Sequence, residues 1–161
     1  MSIPKLLSPK ADIRIFNDTD TIQKYRHLRW ETFRKSSNLP LGSEYYKGEE
    51  TGIYVGAFLK NKFIGGIFMI DRGNKNGQMH QIVVVEKYRR RGIGTSLIRK
   101  LENVAKDRGI KYMYAHARAF LQIFYEEKGY KLVKSKKEIP QGFSTQCQVG
   151  VPHVFMKKEL T

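Results

Sequence analysis

The chain has 161 residues, 40% of them hydrophobic and 28% charged, which is ordinary globular usage and excludes a disordered polymer. Its one cysteine, Cys147, excludes an internal disulfide and most cysteine-based metal sites, so no metal is expected and a reducing cytosol suits it. Thirty Lys and Arg against fifteen Asp and Glu give a net charge of +15, spread along the chain, which reads as a solvated basic surface that attracts anions.

Met1–Ser8 lacks the apolar core of a signal peptide, and no run reaches membrane-spanning length, so a cytoplasmic protein without a membrane partner is expected. No repeat or composition break divides the chain, and residues 1–161 are expected to form one domain with a sizeable core. Ala11–Phe16 alternates and reads as an opening strand. Asp18, Thr19 and Asp20 can cap a helix that carries Ile22, Tyr25, Leu28 and Phe33. Ser36–Thr51 reads as a long loop, and loops of that length are often functional.

Gly52–Leu59 and Phe63–Asp71 read as two strands around the tight turn Lys60–Lys62. A third strand covers about Gln78–Val85, completing an antiparallel meander. A helix follows, with Ile93, Leu97, Leu101, Val104 and Ala105 on one face and Gly109 as its stop. Lys111–Ala117 alternates, with Tyr112, Tyr114 and His116 opposite Met113, Ala115 and Ala117. Arg118–Lys128 reads as a second helix closed by Gly129; on spacing alone Phe120, Ile123 and Phe124 make its core stripe. Tyr130–Lys134 and Pro152–Lys158 read as closing strands. The order implies an α+β or mixed α/β fold, with parallel pairing around residues 78–117.

The chemistry concentrates in Val83–Gly94, where a β-branched strand runs into three arginines, two glycines and a helix N-terminus. The segment lacks the P-loop lysine, since Thr95 and Ser96 follow Gly94, and Leu97 stands where a dinucleotide fingerprint needs its third glycine. What remains is Arg89-x-x-Gly92-x-Gly94. The glycines admit a close ligand, the amides from about Arg91 to Thr95 can converge on a diphosphate, and Arg89–Arg91 add charge.

These residues resemble the GNAT superfamily of acyl-CoA N-acyltransferases. Ile82–Gly94 is similar to that family's cofactor strand and Arg/Gln-x-x-Gly-x-Gly/Ala loop, with Glu86 in place of a common proline. Phe124-Tyr125-Glu126-Glu127-Lys128-Gly129-Tyr130 resembles its Phe-Tyr-Glu-Lys-Leu-Gly-Phe signature, with Lys128 in the leucine slot after an extra glutamate. Tyr114–Ala117 falls where the family's next strand ends. The flanks, Leu28–Glu44 (with Arg34, Leu39 and Pro40) and Gly150–Lys157, resemble the ElaA-like branch.

The resemblance implies a GNAT-like fold: a central, mostly antiparallel sheet of about six to seven strands with a parallel, splayed pair, flanked by helices. It implies acetyl-CoA as co-substrate and an amine acceptor as partner. Main-chain groups of Ile82, Val83 and Val84 would pair with the pantetheine arm, and Arg89, Arg90, Arg91, Gly92, Ile93, Gly94 and Thr95 would take the diphosphate. Tyr125 matches the general acid. The general base stays open among His116, His80, His153, Glu49 and Glu50, with His116 the first candidate because it closes the splayed strand. The acceptor pocket would draw on Tyr25–Glu50 and Phe143–Phe155. Family members often dimerise, and a homodimer is left open.

Two further readings stand beside this one. Arg29, Trp30 and Phe33 loosely resemble the longer-chain acyl-homoserine-lactone synthases. The basic surface also leaves a nucleic-acid-associated, CoA-binding module without turnover open, although the aromatics do not interleave with basic residues as a stacking platform would.

Overall fold

The computed structural model describes residues 10–143 and 151–161; the expectations that fall on Met1–Ser8, Cys147 and Gly150 lie outside the described residues. Ten elements follow in chain order: β1 (Asp12–Phe16), α1 (Thr19–Phe33), β2 (Ile53–Leu59), β3 (Lys62–Gly73), β4 (Asn76–Val84), α2 (Ile93–Asp107), β5 (Tyr112–Arg118), α3 (Gln122–Glu126), β6 (Lys131–Leu132) and β7 (His153–Glu159). The seven strands form one sheet in the order β1-β2-β3-β4-β5-β7-β6. All neighbours are antiparallel except β4 and β5, which run parallel, as a strand–helix–strand crossover through α2 requires.

Local chemistry accounts for the elements. The Asp18 side chain accepts from the Thr21 amide at 2.9 Å and from the Thr21 hydroxyl at 2.6 Å, so α1 starts where its cap predicts. Two-residue turns close both hairpins of the meander, with Lys60 and Asn61, then Asn74 and Lys75, all at positive φ. The long Ser36–Thr51 segment holds only single 3₁₀ turns at Lys35–Ser37 and Glu49–Thr51.

The sheet has two differently filled faces. Under α2 lies an aliphatic and methionine-rich core, with Val55, Ile67, Met79, Leu97, Leu101, Met113 and Ala115 buried together. Under α1 lies an aromatic one, with Phe16, Tyr25, Tyr54, Phe58, Phe63 and Phe68. Their edge-to-face contacts, such as Phe16 on Tyr25 at 6.1 Å, stiffen that face.

One expected element changes shape. The helix read over Arg118–Lys128 is shorter: β5 continues through Arg118, which pairs with His153, and the Ala119 amide donates to the Pro152 carbonyl at 2.9 Å. A 3₁₀ turn then spans Ala119–Leu121 before α3. Of the expected core stripe, Phe124 packs against the core and the other two residues do not. Phe120 and Ile123 are 74% and 70% exposed, whereas Tyr125 is 4% exposed. The segment carries two apolar stripes offset by one residue, and the one holding Leu121, Phe124 and Tyr125 faces the core.

Candidate active site

The parallel ladder between β4 and β5 runs from Asn76–Tyr112 to Met79–Ala115 and then ends. Past that point His80–Val84 and His116–Arg118 diverge and leave a wedge between them. A bulge in β4 sets its shape. Phe68 faces His80 and Gly66 faces Val83, so Gln81 and Ile82 together oppose Ile67. Gln81 sits at φ 55, an unusual backbone for a residue other than glycine. The Tyr25 hydroxyl, fully buried in α1, donates to the Gln81 carbonyl at 2.6 Å and holds the bulge in place. Beyond it, Ile82 and Val84 face the α2 side and Val83 the α1 side.

The chain leaves β4 through a 3₁₀ turn at Glu86–Tyr88 and enters α2 through two left-handed residues, Arg90 (φ 63) and Gly92 (φ 80). Gly92 caps α2 without a side-chain bond, and its carbonyl accepts from Ser96 at 3.0 Å. Among the described residues, no main-chain acceptor pairs with the amides of residues 90–95. A Cβ on Gly94 would lie 3.7 Å from Ile82 Cδ1 and 3.8 Å from Phe124 Cζ, so this residue marks where α2, β4 and α3 come together. Arg89 does not aim its Nε at that opening. It donates to the Val84 carbonyl at 2.8 Å and braces the end of β4.

At the wedge, a cleft of about 190 Å³ is lined from the α2 side by Leu121 and Tyr125 and from β4 and β5 by His80, Gln81, Ile82, His116 and Arg118. Arg34 at the end of α1, Glu44 and Tyr46 in the loop, and His153 of β7 complete it. Thus Tyr125, His116 and Ile82 share one cleft; residues 90–95 do not line it, and Gly94 connects to it only through its neighbour Ile82.

Tyr125 is anchored through the residues that follow it. Its carbonyl accepts from Lys128 at 3.0 Å and Tyr130 at 3.1 Å. The buried Tyr130 hydroxyl in turn donates to Glu102 of α2 at 2.7 Å, and Glu102 pairs with Lys158 at 3.0 Å. Burial pushes the Tyr125 phenol well above its usual range, so it remains protonated throughout the neutral region.

The candidate bases separate. His116 lies 5.1 Å, ring to ring, from His153, and both line the cleft. The His153 Nδ1 is 2.7 Å from the Val151 carbonyl, which can only accept; Nδ1 therefore carries the proton and Nε2 the free lone pair of the neutral ring. His80 is a poor base: burial, followed by the charge of Arg72, lowers its pKa to about 3. Arg72 Nη2 stands 3.4 Å from its Nε2. Glu49 is buried in a salt bridge to Arg29 at 2.6 Å, and Glu50 accepts from Tyr45 at 2.6 Å; neither lines the cleft. The carboxylate that does is Glu44, which the sequence does not single out. It accepts from the Gly42 amide at 3.1 Å and from Arg26 at 3.4 Å.

A mostly antiparallel seven-stranded sheet with one splayed parallel pair, flanked by helices, is the fold that the resemblance implies. Comparison with known proteins agrees. The Acetyltransferase (GNAT) family profile matches residues 22–130, and the chain belongs to that family. It is an acyltransferase. An uncharacterized N-acetyltransferase of Bacillus subtilis, YjcF, is 25% identical over 134 residues, covering 83% of this chain and 89% of the relative. Escherichia coli ElaA shares the fold at a TM-score of 0.72 and 18% identity, covering 92% of this chain and 99% of ElaA. An aminoglycoside 6′-N-acetyltransferase complexed with coenzyme A does so at 0.72 and 19%, covering 93% and 97%.

Proposed function

We propose that this acyltransferase is an N-acetyltransferase that moves the acetyl group of acetyl-CoA to a primary amine of a small molecule or peptide, within a single domain spanning residues 1–161. One placement carries the reading: the buried, protonated Tyr125 lines the wedge between β4 and β5 in the same cleft as His116. The diphosphate of the co-substrate binds the open amides of residues 91–95, with Arg90 and Arg91 adding charge. Pantetheine lies along Ile82–Val84 as an added strand, and a main-chain donor there polarises the thioester carbonyl.

The amine enters from the α1 side. An alkyl ammonium has a pKa of about 10.4, so it must first lose a proton. His116 accepts that proton, directly or through a water molecule, with His153 beside it. The amine nitrogen then bonds to the acetyl carbon, the carbon–sulfur bond breaks, and the Tyr125 hydroxyl gives its proton to the departing thiolate. Burial disfavours phenolate, yet it disfavours a thiolate released beside it as well.

The test is Tyr125→Phe. Its kcat falls about 100-fold or more, while acetyl-CoA still raises the melting temperature as it does in the parent protein. An unchanged kcat removes Tyr125 from the reaction. Stabilisation by ATP but not by CoA species removes the co-substrate.

A further inference from the structure

Two arginines meet in the cleft from opposite parts of the chain. Arg34 closes α1, its amide donating to the Trp30 carbonyl at 2.9 Å, and Arg118 ends β5 with its guanidinium 4.9 Å from the Phe33 ring centroid. Both side chains are half-buried and both line the cleft. They are close enough that Arg34, after burial, helps pull the Arg118 guanidinium below its usual range. Among the described residues, no ion pair involves Arg34. The one carboxylate in the cleft wall, Glu44, is already held by Arg26 and the Gly42 amide. The cleft therefore concentrates two like charges, an arrangement that an anion relieves.

These arginines do not belong to the diphosphate site. Along β5, Met113, Ala115 and Ala117 face the α2 core, so His116 and Arg118 project to the other face, where α1 packs. The bare amides of residues 90–95 lie with α2. Two separate anion-attracting positions thus flank the wedge, one on each side of the sheet.

Resting on the acetyltransferase reading above, we propose that the acceptor is a primary amine bearing an oxyanion, carboxylate or phosphate, seated between Arg34 and Arg118. Strand geometry limits its length. His116 and Arg118 are two residues apart on one face, a separation of about 7 Å, which suits amine and oxyanion separated by about two to four carbons. Short ω-amino acids and aminoalkyl phosphates meet this requirement.

The experiment measures thiol release from acetyl-CoA with matched pairs: ethanolamine against phosphoethanolamine, and butylamine against 4-aminobutyrate. In the parent protein at least one oxyanion-bearing amine has a kcat/KM about tenfold or more above its neutral partner, and the pair that shows it tells phosphate from carboxylate. Arg34→Gln and Arg118→Gln reduce that ratio to within about twofold of unity, and Arg34→Lys, which keeps the charge, restores part of it. Melting temperatures of the variants separate this effect from unfolding. Neutral amines used as well as or better than their charged partners overturn the proposal and leave the acetyltransferase reading standing. A preference that survives in both glutamine variants also overturns it. No thiol release with any amine overturns both.

Discussion

Gly92 and Gly94 stand two residues apart in one motif, yet the structure gives them different tasks, and substitution by alanine separates these. Gly92 holds φ 80 with open space where a Cβ would go, so Gly92→Ala meets no neighbour and suffers only backbone strain. A left-handed residue other than glycine costs about 1–2 kcal/mol, and for a chain of this size that lowers the melting temperature by roughly 2–8 °C. Gly94 has no such strain, and its added methyl would sit at ordinary contact distance from Ile82 and Phe124. Inside a helix, alanine in place of glycine is worth up to about 1 kcal/mol, so Gly94→Ala keeps or raises stability. The methyl nevertheless occupies the place where the diphosphate would approach the amides. Losing one hydrogen bond to a charged group costs about 1.5–3 kcal/mol, or roughly 10–150-fold in affinity for CoA. Thermal melts and calorimetric titration with CoA measure the two effects separately. If Gly94→Ala binds CoA as tightly as the parent, the ligand does not pass between α2 and Phe124, and the assignment of the diphosphate to this turn fails.

Two further outcomes follow from buried groups. Tyr25→Phe removes the hydroxyl that holds the Gln81 carbonyl at 2.6 Å; it costs about 1–3 kcal/mol in urea unfolding and lowers kcat, because the bulge loses its anchor. Equal loss of stability without any change in kcat would show that the bulge stands without Tyr25. His80 takes up its proton in the unfolded chain near pH 6.5 but in the folded one only at about 3. Its contribution is therefore complete above about pH 6.5 and lost as pH falls, amounting to about 2 kcal/mol by pH 5. Parent protein and His80→Gln compared by urea unfolding between pH 5 and 7.5 should differ in slope; parallel curves would refute the assignment.

Much of this architecture can be read from short-range patterns. The alternation of Tyr112–Ala117 fixes which side chains of β5 meet the core, and Asp18 fixes where α1 begins. Arg89–Gly94 announces a turn with bare amides because glycine and position alone produce it. The wedge itself is not legible in this way. Its bulge rests on a glutamine at positive φ, stabilised by a tyrosine 56 residues earlier in the chain, and no local preference for that conformation exists. The residues after Arg118 defeat periodicity for a different reason. Two overlapping apolar stripes satisfy the helical spacing equally, and only the space beneath Tyr125 and its neighbour Tyr130 decides between them. Arg34, Glu44 and Arg118 are invisible as a set because the long loop and the end of β5 meet only through tertiary packing.

The contact between Tyr25 and Gln81 ties the shape of the catalytic opening to the seating of α1. The carbonyl at the β4 bulge receives its hydrogen bond from Tyr25 only while α1 is seated against the aromatic layer. A form of the chain with that helix detached would leave the Gln81 carbonyl without this donor and the bulge without its anchor. Occupancy by the thioester and docking of α1 should then be thermodynamically linked, each tightening the other.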